Sequence, residues 1–558
     1  MFDDTPPRHP WREARPETIH VQEVITMSTT PRLEAPTSNA SLPTTNSYDE
    51  VPYESHPYSQ THPSRLATIA TLFGLTPPSV EKCRVLELGC ASGGNLIPMA
   101  EALPESWFVG VDLSGRQIGD GEKIARSLGL TNISLRHASI LDVDETYGTF
   151  DYVICHGVFS WVQDAIQQKI LDICAKQLSP HGVAYVSYNT YPGWHMRGMI
   201  RDMMRYHALR FDTPDLRVRQ ARALLDFLAQ SARQDGGAYA TLLRSELESL
   251  RHQADHYLYH EHLEDVNAPM YFHQLAELAG KHGLRYLGEA RLTTMVTGNF
   301  TPDVQKALET VATDQIQAEQ YMDFVRNRTF RETLLVHDDV TPNWGIRPTN
   351  IYGLHITTTR KVMEAPSDLR STATVQYQTK SGMTLSTSSP PLKAAMRVFA
   401  ERWPRTISFE ELNRTVNGLL ERESDDGEAL ALGLLNTYIA TDLLELHAVP
   451  IIAATAGEKP VALHSVRVRL AAGEPGAANR RHELFRPSEL DRKLLPLLDG
   501  TRDRAALLDS LTEMAVSGEL TVQADGHAMT DPVEIRTALG PVLDNSLTGF
   551  ANAALLVD

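Results

Sequence analysis

The run VLELGCASGG at residues 85–94 narrows the choice of fold more than any other part of the chain. Its apolar opening reads as a buried strand, and that strand passes without a break into a turn of small residues. Glu87 stands two residues ahead of the turn, between Leu86 and Leu88. A second apolar run, WFVGVD at 107–112, also ends on a carboxylate, Asp112. A parallel sheet sets such strand ends side by side, so the turn and both acids are expected to meet at the carboxyl edge, where α/β folds bind their ligands.

The alternation continues downstream. Strands are predicted near 84–88, 107–112, 133–137, 150–155 and 183–188, with helices between them. The first helix runs from about Gly93 to Pro104. The second opens on Ser114-Gly-Arg-Gln117, a capping-box pattern, and closes at Gly129. The helix after the fourth strand carries Ile166, Ile170, Ile173 and Cys174 on one face and stops at Pro180 and Gly182. Such repetition predicts an α/β, Rossmann-like sheet covered on both faces. Residues 196–258 interrupt it as a helical insertion, and 271–289 then resume with a helix, a glycine stop and a strand that complete the sheet. The expected organisation is a disordered tail at 1–46, rich in Pro, Ser, Thr and Asn, and a catalytic domain at 47–298. A middle linking domain at 299–365 follows, then two α+β, winged-helix-like units at 366–454 and 482–558, with an Ala/Gly-rich spacer before the last. Met27 is a second candidate start.

A net charge of −18 in 558 residues argues against broad electrostatic binding to nucleic acid and suits a basic protein partner better. No apolar run approaches the ~20 residues a membrane span needs, and the amino terminus lacks a signal-like apolar core, so a cytoplasmic protein is expected. The four cysteines, Cys83, Cys90, Cys155 and Cys174, have no metal-ligand spacing and read as small buried thiols. The stretch holding His252, His256, His260 and His262 places two histidines at i, i+4 without an evident third ligand, so no metal is expected.

The charge and spacing suit S-adenosylmethionine, a cationic sulfonium with an amino-acid end and a ribose. Close backbone approach requires small residues at Gly89, Ala91 and Gly93. Glu87 is placed for the amino group and Asp112 for the two ribose hydroxyls, with Leu113 beside it. A backbone N–H near Ser139 and Ile140 reads the adenine edge, and Ile140 lies under the ring. Gly89-x-Ala91-x-x-Gly94 also fits a loose nicotinamide fingerprint, but a pyrophosphate gains nothing from a carboxylate at Glu87.

On these residues the chain resembles class I methyltransferases. More narrowly it resembles bacterial proteins that join such a domain to a methyltransferase regulatory domain, among them the rickettsial-type protein lysine methyltransferases. The likeness is carried by YDEVPYESHPYSQTHP at 48–63, VLELGCASGGN at 85–95, CHGVFSWV at 155–162, SYNTYPGWHMRGMIRDMMRYH at 187–207 and MYFHQLAELAGKHGLRYLGEA at 270–290. It covers about 48–340 well and the rest loosely. It implies a seven-stranded sheet, methyl transfer to a protein side chain with lysine favoured, and a homodimer.

Methyl transfer needs an uncharged nucleophile held in line, so a pocket that lowers an acceptor's pKa by desolvation is expected near the sulfonium. The loop after the fifth strand offers Asn189, Tyr191 and Trp194 around a Pro-Gly turn. His156 follows the fourth strand at the same edge, fitting either a site residue or a satisfied structural histidine. Tyr53 and Tyr58 are placed to close over the cofactor. Two other readings stand beside this one: a small-molecule methyltransferase, and a non-catalytic module that holds the cofactor as a sensor.

Overall fold

Seven strands form the central sheet in the order β3-β2-β1-β4-β5-β7-β6. The computed structural model describes residues 55–557 except 233–235, 363–367, 380, 424, 525 and 526. The expected tail at 1–46, Met27 and Tyr53 lie outside the described residues. Strands β1 (Arg84–Leu88), β2 (Trp107–Asp112), β3 (Ile133–His137), β4 (Phe150–Cys155) and β5 (Leu178–Asn189) are parallel. β7 (Phe330–His337) runs antiparallel to both β5 and β6 (Leu284–Glu289).

Helix α1 (Pro63–Leu72) precedes the sheet, and α2 (Leu96–Ala102), α3 (Gly115–Ser127) and α4 (Asp164–Gln177) make the crossovers. Ser114 caps α3 by accepting the Gln117 N–H at 3.2 Å. β1 shows why this order holds. Val85 joins the core on one face of the sheet, with Ile69, Leu96 and Phe108, while Leu86 and Leu88 join the other, with Val109, Ile170 and Ala184. A strand apolar on both faces is stable only between helices.

Two expectations need correction. β5 begins at Leu178, five residues before the predicted start, and includes Pro180 and Gly182. A register shift opposite Phe150 and Tyr152 opens the ladder there, which tolerates a residue without an N–H. The sheet also does not end before 298. β7 comes from the segment assigned to a linking domain and inserts between β5 and β6. Its Arg331 is fully buried and pairs with Glu289 at 2.6 Å, Asp323 at 2.8 Å and Glu319 at 3.1 Å. The last two lie on α10 (Gln315–Arg326), numbered after α8 (Phe272–Lys281) and α9 (Pro302–Val311). Burial works against the charge on Glu289, but Arg331 and Arg328 outweigh it and hold that carboxyl below its usual range.

The insertion consists of α5 (Gly193–Ala208), α6 (Pro214–Ser231) and α7 (Ala238–Arg251), then a short helix that runs into a π-turn at Tyr259–Leu263. It has its own core around Ile200, Leu225, Leu243 and Leu258. Beyond the sheet, strands at His355–Thr358, Ile407–Ser408 and Leu444–His447 form a small antiparallel sheet with helices at Pro390–Arg402, Phe409–Leu420 and Glu428–Ala440. Its apolar residues continue the core under one face of the large sheet. The final segment packs helices His464–Ala471, Arg504–Val516 and Pro532–Asn552 around a separate core. Among the described residues no helix is long and apolar enough to cross a membrane.

Candidate active site

The turn after β1 is shaped by positive φ angles at Gly89 (77°), Ala91 (49°) and Gly93 (73°). A side chain at Gly89 would meet Val158 at 2.4 Å, so this close-packed position accepts only glycine. Ala91 accepts a left-handed conformation that favours glycine, and its N–H donates to Asp112 Oδ2 at 2.8 Å. The Ser114 N–H donates to Asp112 Oδ1, also at 2.8 Å. The two bonds fix the plane of this carboxylate.

A cavity of about 390 Å³ opens above these strand ends. Glu87, Gly89, Ala91, Asp112, Leu113, Ser139, Ile140, His156 and Tyr58 all line it. Gly93 does not. It serves the turn from behind, where an added Cβ would press on Leu135 and Ile97 at 3.1–3.3 Å. The Ser139 N–H is held by Asp142 Oδ2 at 3.1 Å in a capping box and is therefore already engaged.

Glu87 is buried, and Oε1 accepts from Asn95 Nδ2 at 2.7 Å. Oε2 is buried without a hydrogen-bond partner among the described residues. Burial pushes this carboxyl up to about 8, opposed by the Asn95 hydrogen bond and reinforced by Asp112. A buried carboxylate oxygen without a donor is unfavourable until a ligand supplies one. An ammonium group there meets that need. The Asp112 carboxylate lines the same space, and apolar Ile140, Val158, Val162 and Ile166 line its walls. The residues therefore fit a ligand with an amino-acid end, a ribose and a flat ring.

His156 lies across the cavity. Its ring centroid is 4.0 Å from that of Tyr58, and Nδ1 meets Tyr185 Oη at 2.9 Å. Burial drives this imidazole down to about 4, so it is neutral. Tyr58 is pushed up to about 12 by burial, with Glu87 and Glu261 adding to the rise, and stays protonated.

Asn189, Tyr191 and Trp194 do not line the cavity, which corrects their expected placement. Thr190 pairs with Met270, its N–H bonds to Thr329 O at 3.0 Å, and α5 begins at Gly193. The loop is thereby held as a junction. Asn189 is buried and donates to Asn267 Oδ1 at 2.9 Å. Tyr191 stacks on His195 at 4.0 Å, and Trp194 is buried edge-on to Trp161, which does reach the cavity.

The insertion instead delivers a wall residue that the sequence reading passed over. Glu261 enters the cavity from the π-turn beside His260. Burial raises its carboxyl to about 7, against Arg197, His260 and Arg201. Its only sequence signal is an acid set between two histidines, His260 and His262. Asn95 and Phe330 were likewise missed; Asn95 belonged to a quoted motif, and Phe330 comes from the unforeseen β7.

A second, more open hollow of about 480 Å³ adjoins the first. The two share Tyr58, His156 and Phe330, and Gln60, Arg291, Glu332, His482 and Glu483 line the outer one.

Three family profiles match this chain. One described as "Methyltransferase domain" covers residues 79–224, "Predicted methyltransferase regulatory domain" covers 254–337, and "PKMT, C-terminal winged helix domain" covers 458–555. An uncharacterized protein of Rickettsia prowazekii is 39% identical over 526 residues, 92% of this chain and 94% of that one. The solved structure of PKMT2 from Rickettsia typhi superposes with a TM-score of 0.81 at 32% identity, over 91% of this chain and 100% of that one. The same protein in complex with AdoHcy gives a TM-score of 0.80 at 34% identity, with the same coverage.

Proposed function

The chain belongs to the family of PKMT2, methyltransferases that carry a regulatory domain and a PKMT-type winged helix, and from that premise we propose that a lysine side chain of a protein accepts the methyl group. It is an S-adenosylmethionine-dependent enzyme, and that cofactor supplies, when bound, an electrophilic methyl carbon on a positively charged sulfur. Glu87 takes the amino group, Asp112 the ribose hydroxyls and Ile140 the adenine edge. The turn at Gly89 and Ala91 admits the methionine end.

The observation that carries the acceptor assignment is the junction of the two hollows at Tyr58, His156 and Phe330. A side chain of a folded or extended protein can enter from the outer hollow, past Arg291 and Glu332, which pair at 2.7 Å. At a free pKa of ~10.4 only about one lysine in a thousand is neutral near pH 7.4. Glu261, held near neutrality, takes the proton from the acceptor's ammonium. Tyr58, His156 and Phe330 then enclose the amine in a weakly polar passage, where desolvation keeps it uncharged and aimed.

We propose further that the enzyme is a cytoplasmic homodimer. All four cysteines are unpaired and buried, in keeping with a reducing compartment, and Tyr206 and Phe227 are exposed on the insertion helices. Multi-angle light scattering tests the dimer. The acceptor is tested by incubating the enzyme with methyl-labelled cofactor and host lysate. Label recovered as methyllysine after protein hydrolysis supports the reading. Label in small metabolites, or cofactor binding with no transfer, refutes it in favour of a metabolite enzyme or a sensor.

A further inference from the structure

The back wall of the cavity is a hydrogen-bonded network. Asn95 is the hub there. Its Oδ1 accepts the Tyr58 backbone N–H at 3.0 Å, and its Nδ2 donates to Glu87 Oε1 at 2.7 Å and to Thr61 Oγ1 at 2.9 Å. A backbone N–H can only donate, so the amide is locked with its oxygen toward Tyr58 and its nitrogen toward Glu87. The same Oδ1 lies 2.7 Å from Nε2 of His482, which belongs to the segment matched by the winged-helix profile. Nε2 must therefore carry the proton and donate.

This contact is built rather than incidental. His482 is buried and held at φ 58°. Its neighbour Arg481 pairs with Glu445 at 2.5 Å and lies over the Trp403 ring at 4.7 Å. Asn479 Oδ1 accepts the N–H groups of Arg481 and Glu483 at 2.9 Å. Burial, with His62 nearby, keeps the His482 imidazole neutral. A neutral ring carrying one proton on Nε2 is the form the geometry asks for.

We infer that His482 is a positioning residue for the methionine end of the cofactor: it holds Asn95, Asn95 orients Glu87, and the C-terminal domain thereby completes the grip on the amino group. The inference rests on the assignment of S-adenosylmethionine to the cavity. It makes docking of the C-terminal domain and occupancy of the site mutually reinforcing. Seating of Tyr58 over the cavity depends on the same Asn95 oxygen.

The test compares two ligands on the full chain by calorimetry. S-adenosylhomocysteine has the amino-acid end, and 5′-methylthioadenosine keeps the nucleoside but lacks that end. His482→Asn tolerates a left-handed backbone but is too short to reach Asn95, whereas His482→Gln places an amide N–H where Nε2 was. In the Asn variant the dissociation constant for S-adenosylhomocysteine should rise about tenfold, as for one lost hydrogen bond to the carboxylate network, while that for methylthioadenosine stays within about twofold. The Gln variant should recover most of the loss. Unchanged S-adenosylhomocysteine affinity in the Asn variant overturns the role of His482. Equal weakening of both ligands overturns it too, since that is the mark of a general structural defect. Failure of the wild type to bind either ligand removes the cofactor assignment, and this inference falls with it.

Discussion

Replacing Asp112 by alanine is the most direct trial of the ribose assignment. Each carboxylate oxygen already accepts one backbone N–H, from Ala91 and from Ser114, both at 2.8 Å. Two ribose hydroxyls donating to this carboxylate put two charge-assisted hydrogen bonds at stake. At ~1.5–3 kcal/mol each, their loss amounts to ~3–6 kcal/mol, or a rise of roughly two to four decades in dissociation constant. Isothermal titration with S-adenosylhomocysteine measures it. Asp112→Asn keeps one acceptor oxygen but turns its amide toward a backbone N–H, so it should fall between alanine and wild type. Circular dichroism and the melting temperature of the ligand-free variants report whether the turn at Ala91 survives. A well-folded Asp112→Ala protein that binds within about threefold of wild type would refute the reasoning, since that loss is far smaller than even one such bond.

Glu261→Gln should lower turnover ~100-fold while leaving S-adenosylhomocysteine affinity within about threefold, as expected of a proton acceptor that does not hold the cofactor; steady-state kinetics with calorimetry check both. Glu87 gives a pH signature. Its folded-state pKa of about 8 lies above the ordinary 4.5, so the empty protein keeps a proton that the unfolded chain has released, and its stability falls as pH rises from about 4.5 to about 8. Ammonium binding requires the ionised form, so ligand affinity should climb over the same window and flatten in Glu87→Gln; a wild type with no such slope refutes the pairing. Arg331→Met leaves Glu319 without its cation and Glu289 and Asp323 with Arg328 alone, and should lower unfolding stability by ~3–5 kcal/mol in urea titrations. Tyr191→Phe should keep turnover within about twofold of wild type, because Tyr191 stands outside the cavity.

The cofactor side of the cavity was legible because its requirements are local. A strand, a turn with positive φ and an acid at the next strand's end follow one another within 85–112, and periodicity reads each of them. The acceptor side was not. Glu261 reaches the cavity through a π-turn at the end of a helical insertion, and nothing in the spacing of YHEH at 259–262 distinguishes an inward from an outward carboxylate. Phe330 and β7 were hidden for another reason. The segment RNRTFRETLLVH carries arginine and glutamate where a buried strand should be apolar, so it reads as surface until the partners of Arg331 are known. The loop of Asn189, Tyr191 and Trp194 misled in the opposite sense. Polar-tipped groups at strand ends usually face a ligand, but here the chain is captured by backbone pairing with 270 and 329.

The place of β7 bears on how the protein is made. β5 ends at Asn189, but the strand that covers its edge begins at Phe330. At ~5–20 residues per second the ribosome takes on the order of ten seconds to deliver the missing piece. Throughout that interval a nascent β5 shows unpaired amides and an apolar face to the crowded cell, the kind of edge that recruits strands from other chains. A weakened Arg331 cluster would prolong that exposure, so its damage would register first as lost yield and inclusion bodies, before any change in the rate of a molecule that had matured.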